Sequence, residues 1–226
     1  MSLSRPTIVL FDMDGTTVRH INPALISTLE FLDDIIYKTS RFLSRNKDII
    51  DLSEEPSRPR GLLVHRALHK IRRKPVDQIV QPCPGIFTVL NLFRNQKIPM
   101  GIVSNGLGKG YGHDVLETFK LAPYFDVQIF REDIQKSKPH PDPILRGLRA
   151  IKEDVSADDV VWYIGDRHKD VEAAIAADKL MECKIVPFAY GVHAAIGILK
   201  NNIGNDHIIV NYPDFFSRIR KLVTGA

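Results

Sequence analysis

Cysteine is scarce in this chain, and the two present, Cys83 and Cys183, are far apart, with no CxxC spacing and no histidine at ligand distance. Both read as ordinary thiols, and no structural zinc site is expected. Long apolar runs are missing as well. None reaches the ~18 to 20 residues of a membrane span, and Met1 to Pro6 lacks the apolar region of a signal peptide, so no membrane partner and a cytoplasmic location are expected. Neither sign of charge dominates. A net charge of +4 and a pI near 9.0 fit nucleic acid, an anionic metabolite or no particular partner. Hydrophobic residues at 44% and charged residues at 26% exclude disorder and little else. The 226 residues suffice for one large domain or for a core with a smaller insert.

What is present begins with Ile8-Val9-Leu10-Phe11-Asp12-Met13-Asp14-Gly15-Thr16-Thr17, where a run of apolar β-formers ends on two acids and a glycine. Ile8 to Phe11 reads as a strand buried on both faces, as in a parallel sheet, with its acids at the carboxyl end. Two carboxylates on a buried rim carry a penalty of several kcal/mol unless a cation or a proton neutralises them. A divalent metal on Asp12 beside a protonatable Asp14 would leave Asp12 as a nucleophile with an acid next to it. The competing reading is a hairpin turning at Asp14-Gly15, but no alternating partner strand follows.

A helical pattern runs instead from about Ala24 to Lys47, and a second from Leu62 to Lys74, stopped by Pro75. The loop Glu54 to Gly61 separates them. These make a mostly helical insert over 17–81, leaving 1–16 and 82–226 as the core. From Pro82 onward, short apolar strands at Met100–Val103, Val127–Phe130, Val160–Ile164, Lys184–Pro187 and His207–Val210 alternate with helices of about ten residues. Such alternation predicts an α/β fold, a parallel sheet with right-handed crossovers and helices on both faces. Ligands of such sheets bind outside the carboxyl ends of the strands.

Those ends are polar in few places. Ser104-Asn105-Gly106 follows one strand, where hydroxyl and backbone N–H donors can hold phosphate oxygens; a plain turn is the alternative. Lys138 lies among prolines that fix its backbone, although most lysines are on the surface. Asp166 ends the strand at Val160–Ile164, and Asp170, four residues on, has helix capping as its simplest role. A third carboxylate close to Asp12 and Asp14 is expected only around a hard cation such as Mg²⁺.

The order and spacing of Asp12-Met13-Asp14-Gly15-Thr16, Ser104-Asn105, Lys138 and Gly165-Asp166 through Asp170 resemble the four motifs of the haloacid dehalogenase-like superfamily, which is mostly phosphatases. Lys138-Pro139-His140-Pro141-Asp142-Pro143 is similar to its phosphoglycolate phosphatase branch. The resemblance covers about 7–16 and 83–210. It implies a Rossmann-like core with a helical cap inserted after the first motif, and a Mg²⁺-dependent phosphoric monoester hydrolase acting on a small phosphorylated metabolite: phosphoglycolate, a sugar phosphate or a nucleotide. By the same resemblance, Asp12 would form an aspartyl phosphate and Asp14 would act as acid and then base. Asp12, the Asp14 carbonyl, Asp166 and Asp170 would hold the metal, with Asp170 acting directly or through water. Ser104, the Asn105 and Gly106 backbone and Lys138 would bind the phosphoryl group. The acid at Asp14 sets the chain apart from dehalogenases. A raised pKa there predicts a bell-shaped rate profile.

Arg19-His20, Arg167, Lys169 and Asp178 depart from residues common in that branch. The stretch Arg58 to Lys74 is rich in Arg and Lys and places His65 and His69 one helical turn apart. It reads either as a solubilising face or as a site for a second anionic group of the substrate. A phosphomutase with the same Asp12 chemistry is the alternative function and a basic binding module a more distant one. Nucleic acid is not an expected partner, and the sequence does not state the oligomeric form.

Overall fold

The computed structural model describes residues 3–21 and 75–225. Strand β1 (Ile8–Phe11) is buried along its whole length. Ile8 and Leu10 enter one apolar cluster and Val9 and Phe11 another, so the strand must have packed layers on both sides. It lies inside a six-stranded sheet in which every pairing is parallel. Beside it are β4 (Met100–Val103) and then β5 (Val127–Ile129); on the other side follow β6 (Val160–Gly165), β7 (Lys184–Tyr190) and β8 (Ile208–Ile209). Phe11 pairs with Ile102 of β4 and with Ile164 of β6. The chain builds outward from β1 first through β4 and β5, then through β6, β7 and β8. The carboxyl ends of β4, β1 and β6 therefore flank the point where the strand order reverses, the place where such sheets bind ligands.

One face is covered by α1 (Ile86–Asn95), α2 (His113–Thr118) and α6 (Tyr212–Thr224), whose Phe93, Leu116 and Phe215 pack with Phe11 and Trp162. The other carries α3 (Asp142–Ile151) and α4 (His168–Asp178), whose Leu148 and Ala174 pack with Leu10 and Val161. Helix α5 (Val192–Lys200) packs Ala194 and Ile198 against Val171 and Ala189. Local signals set the helix ends. In α6 the Asn211 side chain accepts from Asp214 N at 2.9 Å, Pro213 lies in the first turn, and Gly225 takes the left-handed conformation past the end.

From Pro82 onward the expected strands and helices are present, with shifted ends. β7 runs on to Tyr190, past the proline read as its stop: β8 pairs only with Ala189 and Tyr190, so a missing N–H at Pro187 leaves a single ladder to satisfy. Two strands were not foreseen. β2 (Val18–His20) and β3 (Val80–Pro82) form a separate antiparallel pair, Val18 opposite Pro82 and His20 opposite Val80, which brings together the two ends of the expected insert. The helical patterns of the insert, the basic stretch Arg58 to Lys74 and the His65–His69 pair lie outside the described residues. Among the described residues no helix is long and apolar enough to cross a membrane.

Candidate active site

Asp12 leaves the end of β1 with its main chain fixed on both sides: its N–H donates to Ile164 O at 2.8 Å, and the buried Thr17 hydroxyl donates to its carbonyl at 2.8 Å. The chain then turns at once, with Gly15 N donating to Val18 O at 2.7 Å. Gly15 is required twice over. Its φ of +85° is a left-handed conformation, and a Cβ there would stand 2.0 Å from Asp166 Oδ2. The Asp12 side chain thus projects into a cavity of about 130 Å³ lined also by Asp14, Ser104, Lys138, Asp166 and Asp170.

Lys138 reaches the same cavity from a long loop that two other elements hold. Asp142, at the start of α3, accepts from Gln135 N at 2.7 Å and Lys136 N at 3.1 Å. The Asn105 amide accepts from Lys138 N at 3.0 Å and donates to Lys138 O at 3.3 Å. The buried ammonium is ion-paired with Asp12 Oδ1, lies 2.7 Å from Asp170 Oδ1, and donates to Val103 O at 3.0 Å and the Tyr163 hydroxyl at 2.9 Å. Burial alone would drive this lysine toward neutrality, but the Asp12 and Asp170 charges more than offset it and hold its pKa well above the usual value.

Asp166 follows β6 and Asp170 sits in the first turn of α4. Asp170 both caps and faces the site: Oδ2 accepts from Arg167 N at 3.0 Å, while Oδ1 meets Lys138 and accepts from Tyr163 Oη at 3.0 Å. Gly165 makes room for it, since a Cβ there would lie 2.3 Å from Asp170 Cβ. Asp12, Asp166 and Asp170 each offer an oxygen, and these lie within 4.8 Å of one another. Burial, followed by the Asp12 and Asp170 charges, pushes Asp166 well above the carboxylate range. Burial likewise lifts Asp12 to about 7, with Lys138 resisting and Asp170 adding to the rise. Among the described residues, buried Asp166 Oδ1 finds no hydrogen-bond partner. An orphaned carboxylate oxygen among two further carboxylates suits a hard divalent cation, whose all-oxygen preference this donor set meets.

Across the cavity, Ser104 Oγ accepts from Gly106 N at 3.0 Å, so that amide is engaged within its own turn. Asp14 stands apart from the three-carboxylate group. Its Oδ1 accepts from Tyr111 Oη at 2.6 Å and lies 3.6 Å from His20 Nε2. Asp12, Asp14, Ser104, Asn105, Gly106, Lys138, Asp166 and Asp170, nominated from the sequence, thus line one cavity, while Tyr163, Tyr111 and the clamp formed by the Asn105 side chain were missed. Tyr163 left a signal: a phenol in an otherwise apolar central strand needs a partner for its hydroxyl. The departures at 19 and 20 fall on β2, opposite Gln81 and Val80, and Asp178 accepts from Ile185 N at 2.7 Å, tying α4 to β7.

A carboxylate at the end of β1, a lysine paired to it and two carboxylates after a neighbouring parallel strand give an α/β protein with one acidic centre at the switch point of its sheet. The chain belongs to the haloacid dehalogenase-like hydrolase family, whose model matches residues 9–180. It is 32% identical over 108 residues to a phosphoglycolate phosphatase of Escherichia coli (strain K12), a match over 48% of this chain but only 40% of that protein. A pyrophosphatase, PpaX, of Oceanobacillus iheyensis is 25% identical over 170 residues, 72% of this chain and 76% of its own. Among solved structures, a haloacid dehalogenase-like hydrolase from Bacteroides fragilis has a TM-score of 0.65 at 21% identity, covering 93% of this chain and 100% of that one. One from Ehrlichia chaffeensis has 0.60 at 23%, covering 98% and 100%. At these identities the structures speak for the fold.

Proposed function

We propose that the protein is a Mg²⁺-dependent phosphatase of small phosphate monoesters that works through an aspartyl phosphate on Asp12. The observation that carries this reading is the buried Asp12 carboxylate, paired to Lys138 and grouped with Asp166 and Asp170 at the sheet's switch point. Asp12, the Asp14 backbone carbonyl, Asp166 and Asp170 would hold the cation. When bound, it supplies positive charge that favours ionised Asp12 and offsets the phosphoryl oxygens.

In the first step an Asp12 carboxylate oxygen attacks phosphorus, the bond from phosphorus to the ester oxygen breaks, and Asp14 gives its proton to the leaving oxygen. Lys138 keeps Asp12 oriented and, with Ser104, faces the charge gathering on the phosphoryl oxygens. In the second step Asp14 takes a proton from water, which attacks phosphorus and releases Asp12. The relatives named phosphoglycolate phosphatase and pyrophosphatase support a small anionic substrate. The test is phosphate release from a panel of phosphorylated metabolites with and without EDTA, using wild type and Asp12→Asn. Release that needs the metal, and falls at least about 10³-fold in the variant, is expected. Full activity in Asp12→Asn ends this mechanism, and sugar phosphate isomerised without free phosphate would assign a mutase instead.

A further inference from the structure

The turn that follows Ser104-Asn105-Gly106 is built with unusual care around a single side chain. Leu107-Gly108-Lys109-Gly110-Tyr111-Gly112 forms a wide irregular turn between β4 and α2. Gly108 and Gly112 lie against the ring of Phe130, where a Cβ would come within 2.6 Å and 2.3 Å of ring carbons. The Glu132 carboxylate accepts from Gly108 N at 2.9 Å and Lys109 N at 3.2 Å, fixing the turn from below β5. The Arg131 N–H donates to Gly106 O at 2.9 Å. The product of these constraints is one buried phenol whose hydroxyl donates to Asp14 Oδ1 at 2.6 Å.

That bond fixes where the Asp14 carboxyl stands, because the oxygen that accepts from Tyr111 is held at hydrogen-bond distance from a phenol whose own turn is fixed. Oδ2 is the oxygen turned toward the Ser104–Gly106 turn, 3.6 Å from where a Cβ on Gly106 would stand. Asp14 is among the described residues lining the cavity and Tyr111 is not. We infer that Tyr111 is a positioning residue: it holds the Asp14 carboxyl at the rim from which it gives its proton to the leaving oxygen, and it stabilises the carboxylate left after transfer, because a hydrogen bond to a charged acceptor is about twice as strong as to a neutral one.

The inference rests on the phosphatase reading, and the experiment separates the two. kcat/KM, which reports only steps up to phosphorylation of Asp12, is measured with Mg²⁺ for p-nitrophenyl phosphate, phenyl phosphate and an alkyl phosphate. The nitrophenolate leaves unaided; the alkoxide needs the proton. Tyr111→Phe should lose about tenfold on the alkyl ester and less than about threefold on p-nitrophenyl phosphate. Equal losses on all three esters, or no loss on any, overturn the proposal. Should Tyr111→Phe fail to fold, Glu132→Gln, which loosens the turn alone, must show the same order of losses, and equal losses there overturn it too. A wild type inactive on every ester overturns the phosphatase reading itself.

Discussion

Gly15 carries more of the site than any other single position, because it lets two segments from different ends of the chain meet. A methyl group there is opposed by a φ of +85° and by Asp166 Oδ2 at 2.0 Å, and the relief would come from moving the carboxylate that ends β6. Gly15→Ala is expected to cost about 2–5 kcal/mol, summing backbone strain with overpacking, and to abolish divalent-cation binding. Urea denaturation in EDTA, with a parallel Mg²⁺ titration, checks this; an unchanged midpoint with unchanged binding would contradict it. Tyr163 works at the same scale in another way. Its hydroxyl receives from Lys138 and gives to Asp170, so a cation and an anion are held in one line by a group that never needs to ionise, burial raising its pKa well above the usual value.

Elements were legible to the degree that their pattern is local. β1 and β4 are unbroken apolar runs and β6 is one but for Tyr163; they start where the sequence placed them, and with them come Asp12, Ser104 and Asp166, since a strand's end fixes where its next residue lies. β2 and β3 were not legible, because Val18 pairs with Pro82 from far along the chain and no three-residue strand advertises a distant partner. Tyr111 was hidden for a related reason, as its value comes from a turn whose shape depends on Phe130 and Glu132 from beyond β5. The connection from α3 to β6 shows how one acid joins elements. Asp159 accepts from Lys152 Nζ at 2.6 Å, Ser156 N at 2.8 Å and Thr7 Oγ1, just before β1, at 3.0 Å. Burial opposes its ionisation, but these donors prevail and bring its pKa down to about 2. An unfolded aspartate titrates near ~3.9, so the stabilisation is fully present above that value and is lost as pH falls through about 2. Asp159→Asn should cost about 1–2 kcal/mol at pH 7, allowing for the exposure of Lys152, and the gap to wild type should begin to close below about pH 4. Denaturant melts from pH 7 to 3 measure it, and a gap that stays constant to pH 3 would refute the assignment.

At the scale of the whole molecule the site is a source of instability that the fold must carry. Asp12, Asp166 and Asp170 share one rim, Lys138 supplies the ammonium paired to Asp12 and Asp170, and a buried oxygen of Asp166 has no hydrogen-bond partner among the described residues. Carboxylates gathered by a rigid sheet raise the energy of the cation-free protein, because each must stay charged beside the others or take up a proton, and a cation that binds only the folded chain returns that energy as stability. Saturating Mg²⁺ at about 100 times its Kd should add about 2.7 kcal/mol, which for a protein of this size is roughly 5–10 °C in Tm. Asp166→Asn removes a charge and one ligand together. The variant should melt above wild type in EDTA, by the equivalent of about 1 kcal/mol or more, and should gain little from Mg²⁺. The two effects have opposite signs, which a general loss of packing cannot imitate: a damaged fold melts lower in both buffers. Equal Tm values for wild type in EDTA and in Mg²⁺, or a full Mg²⁺ shift retained in Asp166→Asn, would mean that these three carboxylates are not gathered around a metal.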